Sequence, residues 1–419
     1  MNDIRELTKG IAGCACGRAH TCPIDLVEIS SGVIDRLDSL CGDFSRILLI
    51  ADQNTWRVCG EKAAAALDSR VADKVVFETG ADVLVPDEAA IAVIDEHITA
   101  DIDLILGVGS GVINDLCKQT SFAHNLPYYI VATATSMDGY ASVGAALILE
   151  GMKITLNARP PKAIIADPAV LKDAPMEMLQ AGYGDIIGKY SCLNDWKLAA
   201  CIRGEYFCQT VYDLTASQVE RVRALADGIA ARDEDAVAAL MEALVTVGIA
   251  MAYVGNSRPA SGSEHHFSHY FEITGILRGE PYLAHGIDVL YSAVATARLR
   301  EQILGGSPER HAFDKAAWEQ EITRVYGSSA EGVIALQNKL GWYEQDDSAA
   351  VYEKWDEICA ILREAPGEEE MLALTARIGL DYAAFESLYG EAKIADALLY
   401  AKDLKDRYTV LWLYFVYFR

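Results

Sequence analysis

Three of the eight histidines fall within one short segment, residues 257–269, together with an arginine, a glutamate and several serines. If this segment is helical, His265 and His269 share one face. His285 stands before a glycine further along, and Asp185 opens an apolar segment between glycines upstream. One carboxylate and two imidazoles that leave a coordination position open suit a catalytic divalent metal. The alternative is a surface histidine cluster with an N-capping aspartate.

A glycine-rich turn, GVGSGVINDLCK at residues 107–118, leaves a predicted strand and opens a predicted helix. Its glycines would let the backbone approach a pyrophosphate, and the helix N-terminus offers N–H groups and a positive dipole end. A second loop, TATSMDGYAS at residues 133–142, offers hydroxyls and a carboxylate for phosphate, ribose or a polar substrate. The glycine turn lies late in the chain and lacks the usual dinucleotide spacing, so a purely structural turn is the alternative.

A third candidate is the N-terminal cluster Cys14, Cys16, His20 and Cys22. Three thiols and an imidazole so close together form a donor set for zinc. The spacing C-x-C-x3-H-x-C is not a standard zinc spacing, so the alternative is a segment that binds no metal. The sequence contains no G-x-S-x-G elbow, Walker loop or kinase motif set.

Apolar runs typical of buried strands alternate with helical segments over the first part of the chain. We predict strands at residues 46–51, 74–78, 103–107, 128–132 and 163–166, with helices near 60–68 and 86–98. Strands that alternate with helices predict a mostly parallel, doubly wound, Rossmann-like sheet.

After about residue 180 the strand signal fades, and helical periodicity dominates residues 216–252, 316–340 and 351–374. We therefore expect an α/β dinucleotide-binding domain at residues 1–180 and an all-α metal- and substrate-binding domain at residues 181–419. Ligands of such proteins bind beyond the carboxyl ends of parallel strands, in clefts at domain junctions.

The composition excludes several classes of protein. The 419 residues contain 61 Asp and Glu against 36 Lys and Arg, a formal charge of −25. This acidic balance argues against partners such as nucleic acids and anionic membrane surfaces. The first residues lack the apolar core of a secretory signal, and the apolar run 410–418 is too short to cross a bilayer. We expect a cytoplasmic protein whose ten cysteines are mostly reduced.

Five motifs resemble those of the glycerol-1-phosphate dehydrogenases, most closely the bacterial AraM-type branch. In chain order they are GVGSGVINDLCK, ATATSMDGYAS, AGYGDIIGK, SRPASGSEHHFSH and LAHG. The resemblance covers roughly residues 25–300, and residues 407–411 extend it. The family is grouped with glycerol dehydrogenases, iron-type alcohol dehydrogenases and dehydroquinate synthases. The resemblance therefore implies a dehydroquinate synthase-like architecture.

By position in these motifs, the resemblance implies that Asp185, His265 and His285 hold one divalent metal ion. The ligand types favour Zn²⁺, with Ni²⁺ and Fe²⁺ as alternatives. Because His266 directly follows His265, a shift of the ligand by one residue stays open, although the pattern E-H-x-F-S-H favours His265.

The cofactor that the resemblance implies is NAD(H) or NADP(H). Asp52 matches a family position near the adenine ribose, where an acid favours a free 2′-hydroxyl and repels a 2′-phosphate. The residues expected to line the rest of the cofactor site are Gly107, Gly109, Ser110, Gly111, Asp115, Thr133, Thr135, Ser136 and Ser142.

The reaction that the resemblance implies is reduction of dihydroxyacetone phosphate to sn-glycerol 1-phosphate. Asp138 and His269 match residues that line the substrate pocket, and we expect His269, or a water held by Asp138, to supply the proton. Arg258 matches an arginine that contacts the anionic group of the substrate in dehydroquinate synthases, so we expect it to hold the phosphate. The resemblance also implies a homodimer or a higher homo-oligomer.

Three other functions fit the same residues. One is another metal-dependent polyol or alcohol dehydrogenase, including one that acts on a phosphonate. A second is a cyclase like dehydroquinate synthase, which uses and regenerates its nicotinamide cofactor. A third is a nucleotide sensor with a degenerate site.

Overall fold

The computed structural model describes residues 4–80, 83–149 and 152–419. It divides into two compact units, which we call the first unit and the second unit. The first unit comprises Met1–Tyr183 and Glu220–Asn256, and the second comprises Gly184–Val219 and Ser257–Arg419. The expected division after residue 180 assigned all of 181–419 to one helical domain, whereas Glu220–Asn256 is grouped with the first unit.

The first unit contains a six-stranded parallel sheet with the strand order β1-β8-β5-β4-β2-β3. A separate antiparallel pair is formed by β6 and β7. The strands are β1 (Leu26–Ile29), β2 (Ile47–Asp52), β3 (Val71–Phe77), β4 (Leu104–Gly109), β5 (Tyr128–Ala132), β6 (Gly144–Leu149), β7 (Met152–Asn157) and β8 (Ala163–Ala166).

Strands of this sheet form where the chain has short, continuous apolar runs. Every residue of β4 and β8 is buried, as expected for strands covered on both faces. The strand β3, at the edge of the sheet, is less buried than these and exposes Asp73 and Lys74. The prediction of a parallel, Rossmann-like sheet is confirmed. The strands β1, β6 and β7 were not predicted. Charged residues interrupt the apolar runs of β1 and β7, at Glu28 and Lys153, whereas β6 is an apolar run that was missed.

Helices flank the sheet and form most of the rest of the chain. The first seven are α1 (Ile4–Leu7), α2 (Leu37–Leu40), α3 (Gln53–Thr55), α4 (Glu61–Leu67), α5 (Glu88–Asp95), α6 (Gly111–Ala123) and α7 (Pro168–Leu171). The next five are α8 (Met176–Ile187), α9 (Lys189–Arg203), α10 (Gln209–Ala224), α11 (Ala226–Ala230) and α12 (Glu234–Val254).

One of these helices, α12, is long and apolar enough to cross a membrane by length and composition alone. In its most apolar window, however, 78% of the residues are buried inside the protein. Gly248 lies on this helix, and a Cβ there would come within 2.5 Å of the Cβ of Ala141. Helix α12 is therefore a core helix of the first unit, and it packs against the turn Asp138–Ala141.

The second unit is helical, as predicted. After α9 it contains α13 (Ser263–Arg278), α14 (His285–Leu304), α15 (Lys315–Tyr326), α16 (Ala330–Leu340), α17 (Ser348–Glu353), α18 (Trp355–Leu362), α19 (Glu368–Arg377), α20 (Tyr382–Tyr400, kinked at Gly390) and α21 (Val410–Tyr417). Its core holds large aromatic side chains, among them the buried Trp196 and Trp412. The apolar run near the C-terminus is the buried helix α21, as expected.

We predict that Gly248→Ala lowers the stability of the protein by about 1–3 kcal/mol, because the added methyl group overlaps Ala141. The matched control is Gly332→Ala, in the exposed part of α16, where a Cβ would meet nothing within 4 Å. Alanine there should stabilise by up to about 1 kcal/mol. Thermal and denaturant unfolding measure both changes. A Gly248→Ala variant as stable as the parent would contradict the packing.

Candidate functional site

The glycine-rich turn at residues 107–111 lies at the carboxyl edge of the six-stranded sheet, between β4 and α6. Asp52 ends β2 and Thr133 follows β5, and these two strands are the neighbours of β4. The backbone N–H of Thr133 donates to the carbonyl of Gly109 at 3.1 Å. The sheet therefore brings the predicted cofactor residues to one edge, where α6 begins. Such an edge suits the pyrophosphate of a dinucleotide.

Two glycines of this turn are needed for close packing of α6 on the sheet. A Cβ on Gly107 would lie 2.8 Å from the sulfur of Cys117, and one on Gly109 would lie 2.6 Å from Ile113. Gly111 differs, because a Cβ there would meet only the flexible end of Met137, at 3.3 Å. Packing of α6 on the sheet thus accounts for Gly107 and Gly109, whereas the contact of Gly111 with a pyrophosphate at the start of α6 stays a prediction.

Lys118 anchors the second predicted cofactor loop to α6. Its fully buried ammonium donates to the carbonyls of Gly139 at 3.0 Å and Gly144 at 2.8 Å, and to the hydroxyl of Ser142 at 3.3 Å. The carboxylate of Asp115, a predicted cofactor contact, lies 3.5 Å away. Burial lowers the pKa of Lys118, and Asp115 partly opposes this. The sequence contains Lys118 within the glycine motif, but its role was missed.

Three other predicted residues of this loop, Thr135, Ser136 and Asp138, differ in burial and position. Thr135 is fully buried, and its hydroxyl has no hydrogen-bond partner among the described residues. Ser136 is half-buried, and Asp138 begins the turn Asp138–Ala141. Buried hydroxyls are normally paired, so Thr135 fits a site that a bound ligand completes.

Asp52 has a local structural role at the end of β2. Its carboxylate accepts the backbone N–H groups of Asn54 at 2.7 Å and Thr55 at 3.0 Å, which caps α3. Ser110 occupies the equivalent position before α6, with no side-chain cap. Both residues lie at the carboxyl edge of the sheet, as predicted, and their contacts with a cofactor stay predictions.

In the second unit, two glycines set the position of Asp185. A Cβ on Gly184 would lie 2.3 Å from a backbone carbonyl at the start of α14, and one on Gly188 would lie 2.5 Å from Val289. The motif AGYGDIIGK therefore lets the end of α8 contact α14 backbone to backbone. This contact places the carboxylate of Asp185 beside His285, the first residue of α14.

The N-terminus of α13 is positioned by Asp195 on α9. The carboxylate of Asp195 accepts the N–H of Ser263, the first residue of α13, and the N–H of Val410, the first residue of α21, both at 2.7 Å. Gly262 permits this close approach, because a Cβ there would lie 2.6 Å from the carboxylate. Capping by a residue of another helix fixes where α13 begins and hence where His265 points.

These helices bring Asp185, His265 and His285 together. Each offers one ligand atom within 4.8 Å of the other two, and Nε2 of His265 lies 3.6 Å from Oδ1 of Asp185. The imidazole rings of His265 and His285 are 5.2 Å apart, centre to centre. His266 is fully buried outside this group, so the structure favours His265 in the choice that the sequence left open.

The surroundings of the three residues fit a bound metal cation. Nδ1 of His265 lies 2.7 Å from Glu264, a contact that leaves Nε2 for a metal. Burial, and then the ammonium of Lys189, hold the pKa of His265 well below its usual value, so its imidazole is neutral. Metal binding requires this form. Lys189 also contacts Asp185 at 2.5 Å, which balances a fully buried carboxylate.

Two further predicted residues belong to the second unit. His269 is half-buried, and its ring centre lies 5.9 Å from that of His265 and 5.5 Å from that of His285. Arg258 is buried and forms a bidentate ion pair with Glu205, at 2.8 and 2.6 Å. His269 therefore lies next to the candidate metal ligands. The contacts of Arg258 give it a structural role, and its predicted contact with a phosphate stays a prediction.

Sequence reasoning missed a second cation near the histidines, Lys405. It is half-buried, and its ammonium donates to the hydroxyl of Ser261 at 3.3 Å. Its charge also lowers the pKa of His265, after the larger effects of burial, Lys189 and His285. The signal in the sequence is its position just before residues 407–411, the last segment of the family resemblance.

Known proteins that are similar to this chain fall into one group of dehydrogenases. Residues 28–175 match the iron-containing alcohol dehydrogenase family. A glycerol-1-phosphate dehydrogenase [NAD(P)+] of Bacillus licheniformis is 30% identical over 98% of this chain and 94% of its own length. The chain belongs to the glycerol-1-phosphate dehydrogenase family. A second member, from Halalkalibacterium halodurans, is 34% identical over 71% of this chain and 77% of its own length.

Solved structures of the wider group share the fold. A probable glycerol dehydrogenase from Sinorhizobium meliloti superimposes with a TM-score of 0.54 at 18% identity. The match covers 85% of this chain and 97% of that one. The dehydroquinate synthase-like architecture that the resemblance implied for the glycerol-1-phosphate dehydrogenase family is therefore confirmed for this member.

We predict that His265→Ala abolishes stoichiometric binding of a divalent metal at this site, because it removes the imidazole that faces Asp185. The matched control is the neighbouring His266→Leu, which should bind metal like the parent. Both are measured by titrating chelator-stripped protein with Zn²⁺ in competition with a chromophoric chelator. If His266→Leu lost metal binding at this site and His265→Ala retained it, the ligand would be His266 and not His265.

Proposed function

We propose that this protein catalyses the NAD(P)H-dependent, metal-assisted reduction of dihydroxyacetone phosphate to sn-glycerol 1-phosphate. The observation that carries the proposal is the group Asp185, His265 and His285 in a chain that aligns over almost its whole length with a glycerol-1-phosphate dehydrogenase. The reaction adds a hydride to the central carbonyl carbon of the substrate and a proton to its oxygen.

Asp185, His265 and His285 would hold the metal, and Zn²⁺ suits two imidazoles and one carboxylate best. A divalent ion bound there supplies Lewis acidity, which stabilises negative charge on the oxygen of a ketone by several kcal/mol. Glu264 orients the imidazole of His265, and burial raises the pKa of Glu264 itself to about 8. Such supporting contacts typically change metal affinity by about 10–100-fold.

The first unit would bind the nicotinamide cofactor, which supplies the hydride. The backbone of Gly109–Gly111 and the N-terminus of α6 receive the pyrophosphate, and the hydroxyls of Thr133, Thr135 and Ser136 complete its polar contacts. Lys118 keeps the second loop in place. Asp52 would accept hydrogen bonds from the adenine ribose, and its negative charge would weaken the binding of a 2′-phosphate without excluding NADPH.

His269 is our candidate for the proton donor to the reduced oxygen. It lies beside the metal ligands and is half-buried, which allows exchange of protons with solvent. Asp138 holds a water or a hydroxyl of the substrate. Both assignments rest on the family resemblance and, for His269, on its position next to His265 and His285.

Lys405 and Arg258 are the candidate phosphate contacts. Lys405 is half-buried, its ammonium donates to the hydroxyl of Ser261, and its charge lowers the pKa of the nearby His265, so we propose that it also contacts the phosphate of the substrate. Nε and Nη2 of Arg258 bind Glu205 and the carbonyl of Tyr408, so its contact with a phosphate is proposed on the family resemblance alone. We further propose, on the family resemblance, that the protein is cytoplasmic and acts as a homodimer.

We predict that the metal-loaded protein oxidises NADH with dihydroxyacetone phosphate and far more slowly with dihydroxyacetone, because only the former carries the charged group. Chelation should lower the rate at least about 100-fold, with recovery on adding Zn²⁺ or Ni²⁺. The absorbance of NADH measures the rate. Preference for dihydroxyacetone would indicate a glycerol dehydrogenase, and binding of NADH without net oxidation would indicate a cyclase or a sensor.

We predict that Lys405→Met raises the KM for dihydroxyacetone phosphate about 10–100-fold, because the variant loses one charged hydrogen bond to the phosphate. The KM for NADH and the melting temperature should stay unchanged. Arg258→Ala is the comparison, and we expect it to lower the melting temperature, because it leaves Glu205 without its bidentate partner. If Lys405→Met kept the parent's KM for dihydroxyacetone phosphate, the role of Lys405 would be contradicted, and Arg258 or another group would bind the phosphate.

A further inference from the structure

A second group of potential metal ligands lies in the first unit, in the N-terminal segment. Cys14, Cys16 and His20 each offer one ligand atom within 4.8 Å of the others. The sulfur of Cys16 lies 3.4 Å from Nε2 of His20. Cys22, the fourth member of the cluster in the sequence, is outside this group. None of these residues has a role in the proposed reaction.

The backbone holds the three side chains in a closed loop. Ile11 and His20 exchange two backbone hydrogen bonds, at 2.8 and 2.9 Å, which join the two ends of the loop. At the turn, Gly17 has a φ of +82° and its N–H donates to the carbonyl of Cys14 at 3.0 Å. A left-handed glycine directly after the second cysteine lets the chain turn so that both sulfurs face the same side.

The imidazole of His20 is oriented by α12, as a metal ligand would be. Nδ1 of His20 lies 2.8 Å from the carbonyl of Tyr253, so this nitrogen carries the proton and Nε2 keeps its lone pair toward Cys16. The ring of Tyr253 packs against that of His20, with centres 5.5 Å apart. His20 is only 2% exposed. A backbone carbonyl on the far nitrogen is the usual second contact of a metal-bound histidine.

We propose that Cys14, Cys16 and His20 bind a zinc ion that holds the N-terminal loop closed and keeps His20 oriented against Tyr253 of α12 in the first unit. Two thiolates and an imidazole are a zinc donor set, and one further donor completes the tetrahedron. The cysteine sulfurs distinguish this ion from that of the candidate catalytic site, whose donors are oxygen and nitrogen. The role is structural, because the ion would cross-link the loop that carries Cys14, Cys16 and His20, and His20 in turn contacts Tyr253 of α12.

The first test uses the native chain. Zinc-loaded protein is treated with an organomercurial that displaces zinc only from thiolates, and the released ion is measured with a chromophoric chelator. We expect release of one zinc ion per chain, with the zinc at the other site retained. Reconstitution with Co²⁺ should give the thiolate-to-cobalt charge-transfer absorption. Absence of both the release and this absorption would overturn the proposal.

The second test uses variants. The double variant Cys14→Ser, Cys16→Ser should contain one zinc ion fewer per chain and should melt at a lower temperature, whereas Cys22→Ser should match the parent in both. His285→Ala should lose the other ion and keep this one, so the two sites are scored separately. An unchanged zinc content in the double variant, or a disulfide between Cys14 and Cys16 in the purified protein, would contradict the proposal.

Discussion

The candidate site of the second unit depends on the burial of one carboxylate, that of Asp185. A fully buried carboxylate is stable only beside positive charge or hydrogen-bond donors. The chain meets this demand by bringing α8 and α14 into backbone contact at Gly184, which places Lys189, His265 and His285 around the same side chain. The ammonium of Lys189 and a divalent metal would satisfy the same negative charge. In the motif AGYGDIIGK, the glycines thus permit the helix contact that places a cation and two imidazoles around the acid.

In the first unit, the backbone at the start of α6 must stay accessible to a cofactor although the helix packs closely on the sheet. Gly107 and Gly109 let α6 lie close on β4, and the start of α6 then faces the loops that follow β2 and β5. The buried ammonium of Lys118 replaces the hydrogen bonds that the second loop would otherwise make with water. A fully buried side chain, that of Lys118, therefore holds the second loop against α6 at this edge.

Much of the fold and of the candidate site could be predicted from the sequence, because local patterns of apolar and polar residues indicate which residues are buried. Continuous apolar runs predicted the central strands, and the resemblance of five motifs to a known family implied the group Asp185, His265 and His285 that the structure brings together. The rest depends on contacts distant in the chain. The ion pair of Arg258 with Glu205, the carbonyls bound by Lys118 and the position of Lys405 cannot be inferred from local patterns. The grouping of Glu220–Asn256 with the first unit depends likewise on α12 packing at Gly248.

The most direct test of the account is anomalous diffraction from crystals of zinc-loaded protein, recorded on both sides of the zinc absorption edge. The account predicts an anomalous peak bounded by Asp185, Nε2 of His265 and His285, with a ligand position open. A zinc ion bound to His266, or full occupancy elsewhere with no peak between these three side chains, would contradict it.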